Sequence, residues 1–150
     1  MTGSPLRQTY VSGGPWEEVF GYARAIRTGD RIIVSGCTAV QDGVVMSQGD
    51  AGAQMRRALD HALGAVTALG GSLGDVIQTR IYVVNRADCD AVGRAHGEWF
   101  ADVHPAATMI LVAGLLQEDM LVEVEVEARV RSAKPFHHRG PYDHRAERHE

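Results

Sequence analysis

A row of three glutamates near the end of this 150-residue sequence is the pattern best suited to chemistry. Residues 122–127 have the sequence Val-Glu-Val-Glu-Val-Glu. Successive side chains of a β-strand point to opposite faces, so Glu123, Glu125 and Glu127 share one face and the valines share the other. Neighbouring carboxylates raise one another's pKa, and a carboxylate with a raised pKa can act as a general base on water.

This carboxylate face admits two interpretations. It is either a solvated sheet face, the common fate of a charge run, or a cleft or subunit interface where Glu123 meets arginines of this chain or another. Several arginines occupy positions that we predict to lie in strands, namely Arg24, Arg27, Arg31, Arg80 and Arg129. Arg24 follows Tyr22 by two residues, so on a shared strand both side chains would point to one face. The pattern alone leaves both interpretations open.

The remaining reactive side chains lack partners in the sequence. His96 and His104 do not have metal-ligand spacing of the HExxH kind, and no phosphate- or dinucleotide-binding glycine motif occurs, so we predict no metal and no cofactor. Cys37 and Cys89 are expected to be small core residues. Trp16 is interpreted as an anchoring aromatic, with a cleft wall as the alternative.

The elements that position these residues follow from hydrophobic periodicity. Apolar residues recurring every three or four positions predict helices over 51–69 and 87–102. Asp42-Gly43 predicts a short hairpin. Apolar, β-branched segments predict strands at 19–27, 31–36, 76–84, 107–112 and 121–130. A hairpin followed by βαβαβ indicates a single α+β domain with a mixed sheet and both helices packed on one face.

Both ends of the chain differ from this domain in composition. Residues 1–15 are polar and include Gly13-Gly14-Pro15, which predicts a loosely held N-terminal arm. Residues 132–150 contain four of the seven histidines and few apolar residues. We expect this C-terminal tail to be disordered, because it cannot bury enough surface to offset the entropy of ordering.

Composition also limits the partners. A net charge of −4 argues against nucleic acid and anionic membranes as partners. The longest apolar run, 109–116, is too short to span a bilayer. Two cysteines without a CxxC motif fit a reducing compartment. We therefore predict a cytoplasmic protein that binds a small molecule or other proteins.

Several stretches together resemble the Rid family, also called YjgF. They are Gly21-Tyr22-Ala23-Arg24-Ala25, Ile33-Val34-Ser35-Gly36, residues 75–83, Pro105-Ala106-Ala107-Thr108-Met109 and Leu121-Val122-Glu123-Val124-Glu125. The match runs in the family's order and spacing over 16–131, which marks that segment as a Rid-like domain. The resemblance implies a chorismate-mutase-like fold, a homotrimer whose sheets pack inward, and small-ligand clefts between adjacent subunits.

The resemblance also implies an activity, the hydrolysis of reactive enamines and imines to a keto acid and ammonia. In the family, a glutamate of the last strand positions the attacking water, and Glu123 matches it. Tyr22, Ser35 and Gly36 match positions that line the cleft. The family's arginine after Pro-Ala pairs with the substrate carboxylate in a bidentate manner. That position is Ala107 here, so the usual carboxylate clamp is missing.

Two functional hypotheses follow. The first is a Rid-type hydrolase of a small imine, enamine or carbonyl compound other than the usual imino acid. Glu123 would orient water, while Tyr22 and backbone amides near Ser35, Gly36 and Met109 would hold the polar end of the ligand. Arg24 would either enter the cleft or neutralise a glutamate of the carboxylate face. The second hypothesis is a non-catalytic trimeric module that binds a small metabolite. A ribonuclease conflicts with the acidic charge.

Overall fold

The computed structural model describes residues 6–131, and most of them belong to a sheet covered by two long helices. The strands are β1 Gln8–Tyr10, β2 Ala25–Thr28, β3 Arg31–Cys37, β4 Val40–Gln41, β5 Val44–Val45, β6 Val76–Val83, β7 Ala106–Leu111 and β8 Val122–Arg129. The α-helices are α1 Pro15–Phe20, α2 Ala51–Ala68 and α3 Cys89–Phe100. Single 3-10 turns at Leu73–Asp75 and Arg86–Asp88 precede β6 and α3.

Six of the strands form one mixed sheet in the order β1-β2-β3-β8-β6-β7. Only β6 and β7 pair in parallel, because α3 provides the long crossover that parallel strands require. β8 lies antiparallel between β3 and β6, which places the glutamate row in the middle of the sheet. β4 and β5 form a separate hairpin whose turn residues Asp42 and Gly43 both have positive φ, as the Asp-Gly signal predicts.

The hydrophobic core lies between the sheet and helices α2 and α3. Helix α2 begins after Asp50, whose side chain accepts a hydrogen bond from the backbone N–H of Ala53 at 3.0 Å. Its buried side includes the residues predicted from the helical spacing, namely Met55, Ala58, Leu59, Ala62, Val66 and, just after the helix, Leu69. From α3, Val92, Ala95 and Phe100 are buried, while Trp99 is only partly covered.

The alternation along β8 is confirmed. Val122, Val124 and Val126 are at most 2% exposed and face the helices. The three glutamates between them are partly exposed on the opposite face of the sheet, which no described element covers completely. The strand therefore contributes to the core and to an accessible carboxylate face at once.

The first predicted strand is wrong in its position. Residues 19–27 contain the end of helix α1 and then a turn, and pairing begins only at Ala25. Pro15 at the first helical position and two acidic residues in the first turn favour the helix, and Gly21, at φ 73°, ends it. Part of the predicted N-terminal arm is also a strand, because β1 pairs with β2.

The predicted disorder of 132–150 concerns residues outside the described part of the chain, as do residues 1–5. Among the described residues, no helix is long and apolar enough to cross a membrane.

Candidate functional site

The carboxylate of Glu123 lies directly against the backbone of β3. A Cβ atom added to Gly36 would lie 2.8 Å from Cδ of Glu123, closer than real side chains approach. Glycine is therefore the residue that leaves room for this carboxylate. The sequence-based predictions placed both residues in one site, and the structure brings them into contact.

A bulge in β3 creates this close approach. Val34 pairs with Val126 and Cys37 pairs with Val124, so two residues of β3, Ser35 and Gly36, lie opposite one residue of β8. A bulge bends the strand and removes the extra residue from regular pairing. The Ser35 side chain is bound locally, since its hydroxyl donates to the carbonyl of Ala23 at 2.8 Å.

Arg24 binds the backbone of the same bulge. Its Nη1 donates to the carbonyl oxygen of Gly36 at 2.5 Å and approaches the carbonyl of Ser35 at 3.5 Å. The side chain is only 17% exposed. Arg24 precedes β2 and is not in a strand, so the predicted shared strand face with Tyr22 is wrong. The two side chains nevertheless meet, with the guanidinium carbon 5.7 Å from the centre of the Tyr22 ring.

We call this group of residues the Glu123 notch, defined as Tyr22, Arg24, Ser35, Gly36 and Glu123. Burial raises the pKa of the Glu123 carboxyl above its usual value, the charge of Glu125 raises that pKa further, and Arg24 opposes the rise. A carboxylate with a raised pKa is a better proton acceptor once ionised.

Two residues of this region were not predicted as site residues. Glu17 of α1 is 3% exposed, accepts hydrogen bonds from the backbone and hydroxyl of Ser12, and lies 3.7 Å from Nε of Arg24. Tyr82 of β6 is the register partner of Glu123, and its hydroxyl donates to Glu125. That hydrogen bond, together with burial, raises the pKa of Tyr82.

The arginines predicted to lie near the carboxylate face serve different partners. Arg31 binds Glu127 at 2.5 Å, and Arg80 lies 3.9 Å from Glu125. The other two bind elsewhere, Arg27 to the carbonyl of Leu69 and Arg129 to Asp30. Arg24 binds Glu17 instead of a glutamate of β8.

Ala107 and Met109 lie away from the Glu123 notch within one chain. Ala107 pairs with Thr79, which pairs with Val126, so all three belong to the helix-covered face. Glu123 belongs to the opposite face and lies two strands away, about 10 Å across the sheet. Met109 packs against the core. A single chain therefore does not assemble the complete predicted site.

Trp16 lies on the surface of α1. It is 51% exposed and stacks on Phe20 with ring centres 5.2 Å apart. This parallel stacking gives the short helix an exposed aromatic surface.

The cysteines and His96 lie outside the Glu123 notch as defined. Cys37 is buried and unpaired, and burial raises its pKa although Arg24 opposes the rise. Cys89 is only partly buried at the start of α3, which differs from the expected core position. His96 bonds Thr79 at 2.8 Å, and burial lowers its pKa. In residues 6–131, no three side chains of His, Cys, Asp or Glu are grouped to hold a metal ion.

Comparison with known proteins adds independent information. A family model described as endoribonuclease L-PSP matches residues 16–130. The uncharacterized protein SCO2049 of Streptomyces coelicolor is 43% identical, with 85% of this chain and 95% of that protein covered. The 3-aminoacrylate deaminase RutC of Acinetobacter baylyi is 32% identical, with 73% and 86% covered.

Among solved structures, the fold matches Rv2704 of Mycobacterium tuberculosis, a member of the YjgF/YER057c/UK114 family. The TM-score is 0.75 at 35% identity, and the match covers 83% of this chain and 99% of that one. The sequence and the fold thus point to the same family.

Proposed function

The chain belongs to the Rid (YjgF) family, and we propose on this basis that it hydrolyses a small reactive imine, enamine or related carbonyl compound. The observation that carries the proposal is the Glu123 notch, where a half-buried carboxylate with a raised pKa lies over a glycine. A water molecule beside that carboxylate would be oriented and partly deprotonated by it.

The proposed reaction is a hydrolysis in which Glu123 moves one proton. The carboxylate accepts a proton from water while the water oxygen forms a bond to the carbon of the C=N group. The protonated Glu123 returns that proton to the nitrogen, giving a carbinolamine. Collapse of the carbinolamine releases ammonia and leaves the carbonyl product. In the collapse, the hydroxyl proton moves to the nitrogen as the C–N bond breaks. An enamine first gains a proton on carbon and loses one from nitrogen, which gives the imine, so atoms and charge balance without a cofactor.

The ligand's polar end is assigned to the notch and to β7 of a second copy of the chain. Tyr22, at 38% exposure, is accessible to a ligand, and its hydroxyl can donate a hydrogen bond. Backbone amides near Ser35, Gly36 and Met109 complete the proposed set. None of these groups is a cation, so they suit a neutral C=N or carbonyl group.

The substrate that we propose lacks a carboxylate. Ala107 has no charge, and Arg24, the arginine of the notch, is directed at the Gly36 carbonyl and Glu17. A guanidinium with those partners is not free to form a bidentate pair with a substrate. RutC is named for the deamination of 3-aminoacrylate. We therefore propose the same class of reaction for this chain, but not the same substrate.

A second copy of the chain would complete the site, and we propose a homotrimer with one ligand in each intersubunit cleft. β7 is an edge strand of six residues, and Ile110 and Leu111 on it are 46% and 39% exposed. Natural edge strands of this kind are normally covered or charged. Covering β7 with another copy would place Ala107 and Met109 of one subunit beside a Glu123 notch of the next.

The family description names an endoribonuclease, but the charge pattern of this chain argues against RNA as the substrate. The net charge is −4, and three glutamates occupy the accessible sheet face. RNA binding depends on neutralising phosphates with cations. A cytoplasmic location also stays a prediction, supported by two unpaired cysteines.

The non-catalytic binding module remains the second candidate. It is favoured by Ala107, because loss of the usual clamp is compatible with a site that binds a ligand without turning it over. In that case Glu123 accepts a hydrogen bond from the ligand and transfers no proton.

The test compares two imines with the wild type and one variant. An amine oxidase generates a carboxylate-free imine and an amino-acid oxidase generates 2-iminopropionate, with semicarbazide trapping the remainder. We expect the wild type to accelerate loss of the neutral imine more than that of 2-iminopropionate. Ala107→Arg should gain activity on 2-iminopropionate. Inertness of both proteins on both imines would overturn the hydrolase proposal in favour of the binding module.

A further inference from the structure

The bulge in β3 presents two backbone carbonyls to the side chain of Arg24. Ser35 and Gly36 lie opposite one residue of β8, so regular pairing is interrupted there. Backbone carbonyls that lose a sheet partner need another donor when they are shielded from water. Nη1 of Arg24 fills that role, at 2.5 Å from the Gly36 oxygen and 3.5 Å from the Ser35 oxygen.

Arg24 is itself fixed by its surroundings. Its backbone N–H donates to the carbonyl of Tyr10 at 2.9 Å, and its carbonyl accepts from Ser35 at 2.9 Å, so β1 and β3 hold its main chain. Its side chain lies against the Tyr22 ring. Such a guanidinium has few alternative positions, which suits it to shape the site.

The charge of Arg24 has a buried counter-ion. The side chain of Glu17 is 2% exposed and lies 3.7 Å from Nε of Arg24. Ser12 donates its backbone N–H to this carboxylate at 3.0 Å, and its hydroxyl donates as well. Buried carboxylates are stable when paired and hydrogen-bonded in this way. The neighbouring Glu18 is exposed, so the burial of Glu17 is specific to its place on α1.

We propose that Arg24 is a positioning residue, which holds the β3 bulge beneath Glu123 and favours the ionised form of that carboxylate, with Glu17 as its buried counter-ion. Gly36 contacts both groups, since its carbonyl oxygen accepts a hydrogen bond from the guanidinium and the Glu123 carboxylate lies against its Cα. The proposal deepens the proposed function, on which the catalytic meaning of Glu123 rests. The arrangement of Arg24, Glu17 and Glu123 does not depend on whether the protein hydrolyses an imine.

The pH at which Glu123 is half-protonated tests the proposal directly. The groups that face it are Glu125 on β8, Tyr82 on β6, Cys37 on β3 and Arg24 from the turn before β2. Removing the cation should make Glu123 easier to protonate. Removing the counter-ion should have the opposite effect, because the charge of Arg24 is then less neutralised.

The experiment is a carbon-13 NMR titration of the Glu123 side-chain carboxyl in the full chain, assigned with Glu123→Gln. We expect Arg24→Gln to raise the titration midpoint by about 0.5 pH unit or more. Glu17→Gln should lower the midpoint. Arg24→Lys should bring it back toward the wild-type value. The matched control is Arg31→Gln, which removes a cation that serves Glu127 and should leave the midpoint unchanged.

Opposite shifts in the Arg24→Gln and Glu17→Gln variants support the proposal, and an unchanged midpoint in both overturns it. If Arg24→Gln does not fold, the Glu17→Gln midpoint decides in the same way. The acid limb of kcat/KM should follow the midpoint in each variant that turns over substrate. Opposite midpoint shifts in a protein that hydrolyses no imine would support the positioning role while contradicting the proposed hydrolysis.

Discussion

At the scale of single residues, the Glu123 notch depends on one glycine and one carboxylate. The alternation with valine was sufficient to place Glu123 on the accessible face, and the family resemblance singled it out among the three glutamates. It was not sufficient to select Glu17. Glu17 and Glu18 are identical neighbours in the sequence, and only the fold shows that the first is buried beside Arg24.

Gly36→Ala should nearly abolish hydrolysis. The new Cβ would lie 2.8 Å from Cδ of Glu123, so either the carboxylate or the bulge must move. The matched control is Gly64→Ala in α2, where no atom lies within 4 Å of the added Cβ. That control should raise the free energy of unfolding by about 0.5–1 kcal/mol and leave activity unchanged. Equal activity in Gly36→Ala and wild type would contradict the close approach.

Glu123→Gln should stabilise the protein at neutral pH. Because the folded-state pKa of Glu123 is raised, the folded protein binds more protons than the unfolded chain between the two pKa values, and stability falls as pH rises through that window. The amide does not ionise, so the variant avoids this loss. Melting temperatures should show the gain at pH 7, and the gain should disappear below the ordinary glutamate pKa of about 4.3. A lower melting temperature for the variant at pH 7 would contradict burial as the dominant cause.

At the scale of elements, periodicity predicted the two long helices and four strands, β3, β6, β7 and β8, to within about two residues. Those segments bury one face each, so their apolar spacing is set by the core. The segment before β2 has no such constraint, and its Tyr-Ala-Arg-Ala-Ile sequence is compatible with a longer strand. Pro15 and Gly21 instead favour a short helix followed by a turn.

The faces of β7 and β8 could not be related from the sequence. Their relation depends on the register of two pairings, that of β8 with β6 and that of β6 with β7. A shift of one residue moves every side chain to the other face. Within one chain Ala107 and Glu123 lie on opposite faces, and the predicted cleft between adjacent subunits stays a prediction.

The contribution of the α2 N-cap to the free energy of unfolding can be measured. Asp50→Ala removes the side chain that accepts the Ala53 N–H, and we expect it to lower the free energy of unfolding by about 1 kcal/mol. Asp60→Ala, an exposed change within the same helix, is the control and should cost nothing measurable. Urea denaturation of both variants measures the difference. An equal loss in the two would show that the cap contributes no specific stability.

At the scale of the whole molecule, one chain carries the Glu123 notch and Ala107 on opposite faces of its sheet. The Glu123 notch opens on the carboxylate face, and the exposed edge of β7 carries Ala107. From the sequence, a trimer could be predicted only through the family resemblance, because no local pattern of residues specifies the number of subunits. The edge strand and its exposed apolar residues now provide a physical reason for association.

Light scattering should give a mass of about three times the 16.2 kDa of one chain. Ile110→Glu places a charge on the exposed side of β7 and should shift the protein toward the monomer, with loss of activity. Val44→Glu, on the exposed β4–β5 hairpin, is the matched control and should remain a trimer. A monomeric wild type would contradict the intersubunit cleft.

The most direct test of the account is the effect of Glu123→Gln on turnover and on binding, measured with the same carboxylate-free ligand. Steady-state hydrolysis of the imine gives turnover, and calorimetry with the corresponding stable ketone gives binding. We predict at least a hundredfold loss of kcat, the scale of general-base catalysis, with ketone affinity kept within about threefold. Full turnover in the Glu123→Gln protein would contradict the assignment of Glu123 as the residue that activates water.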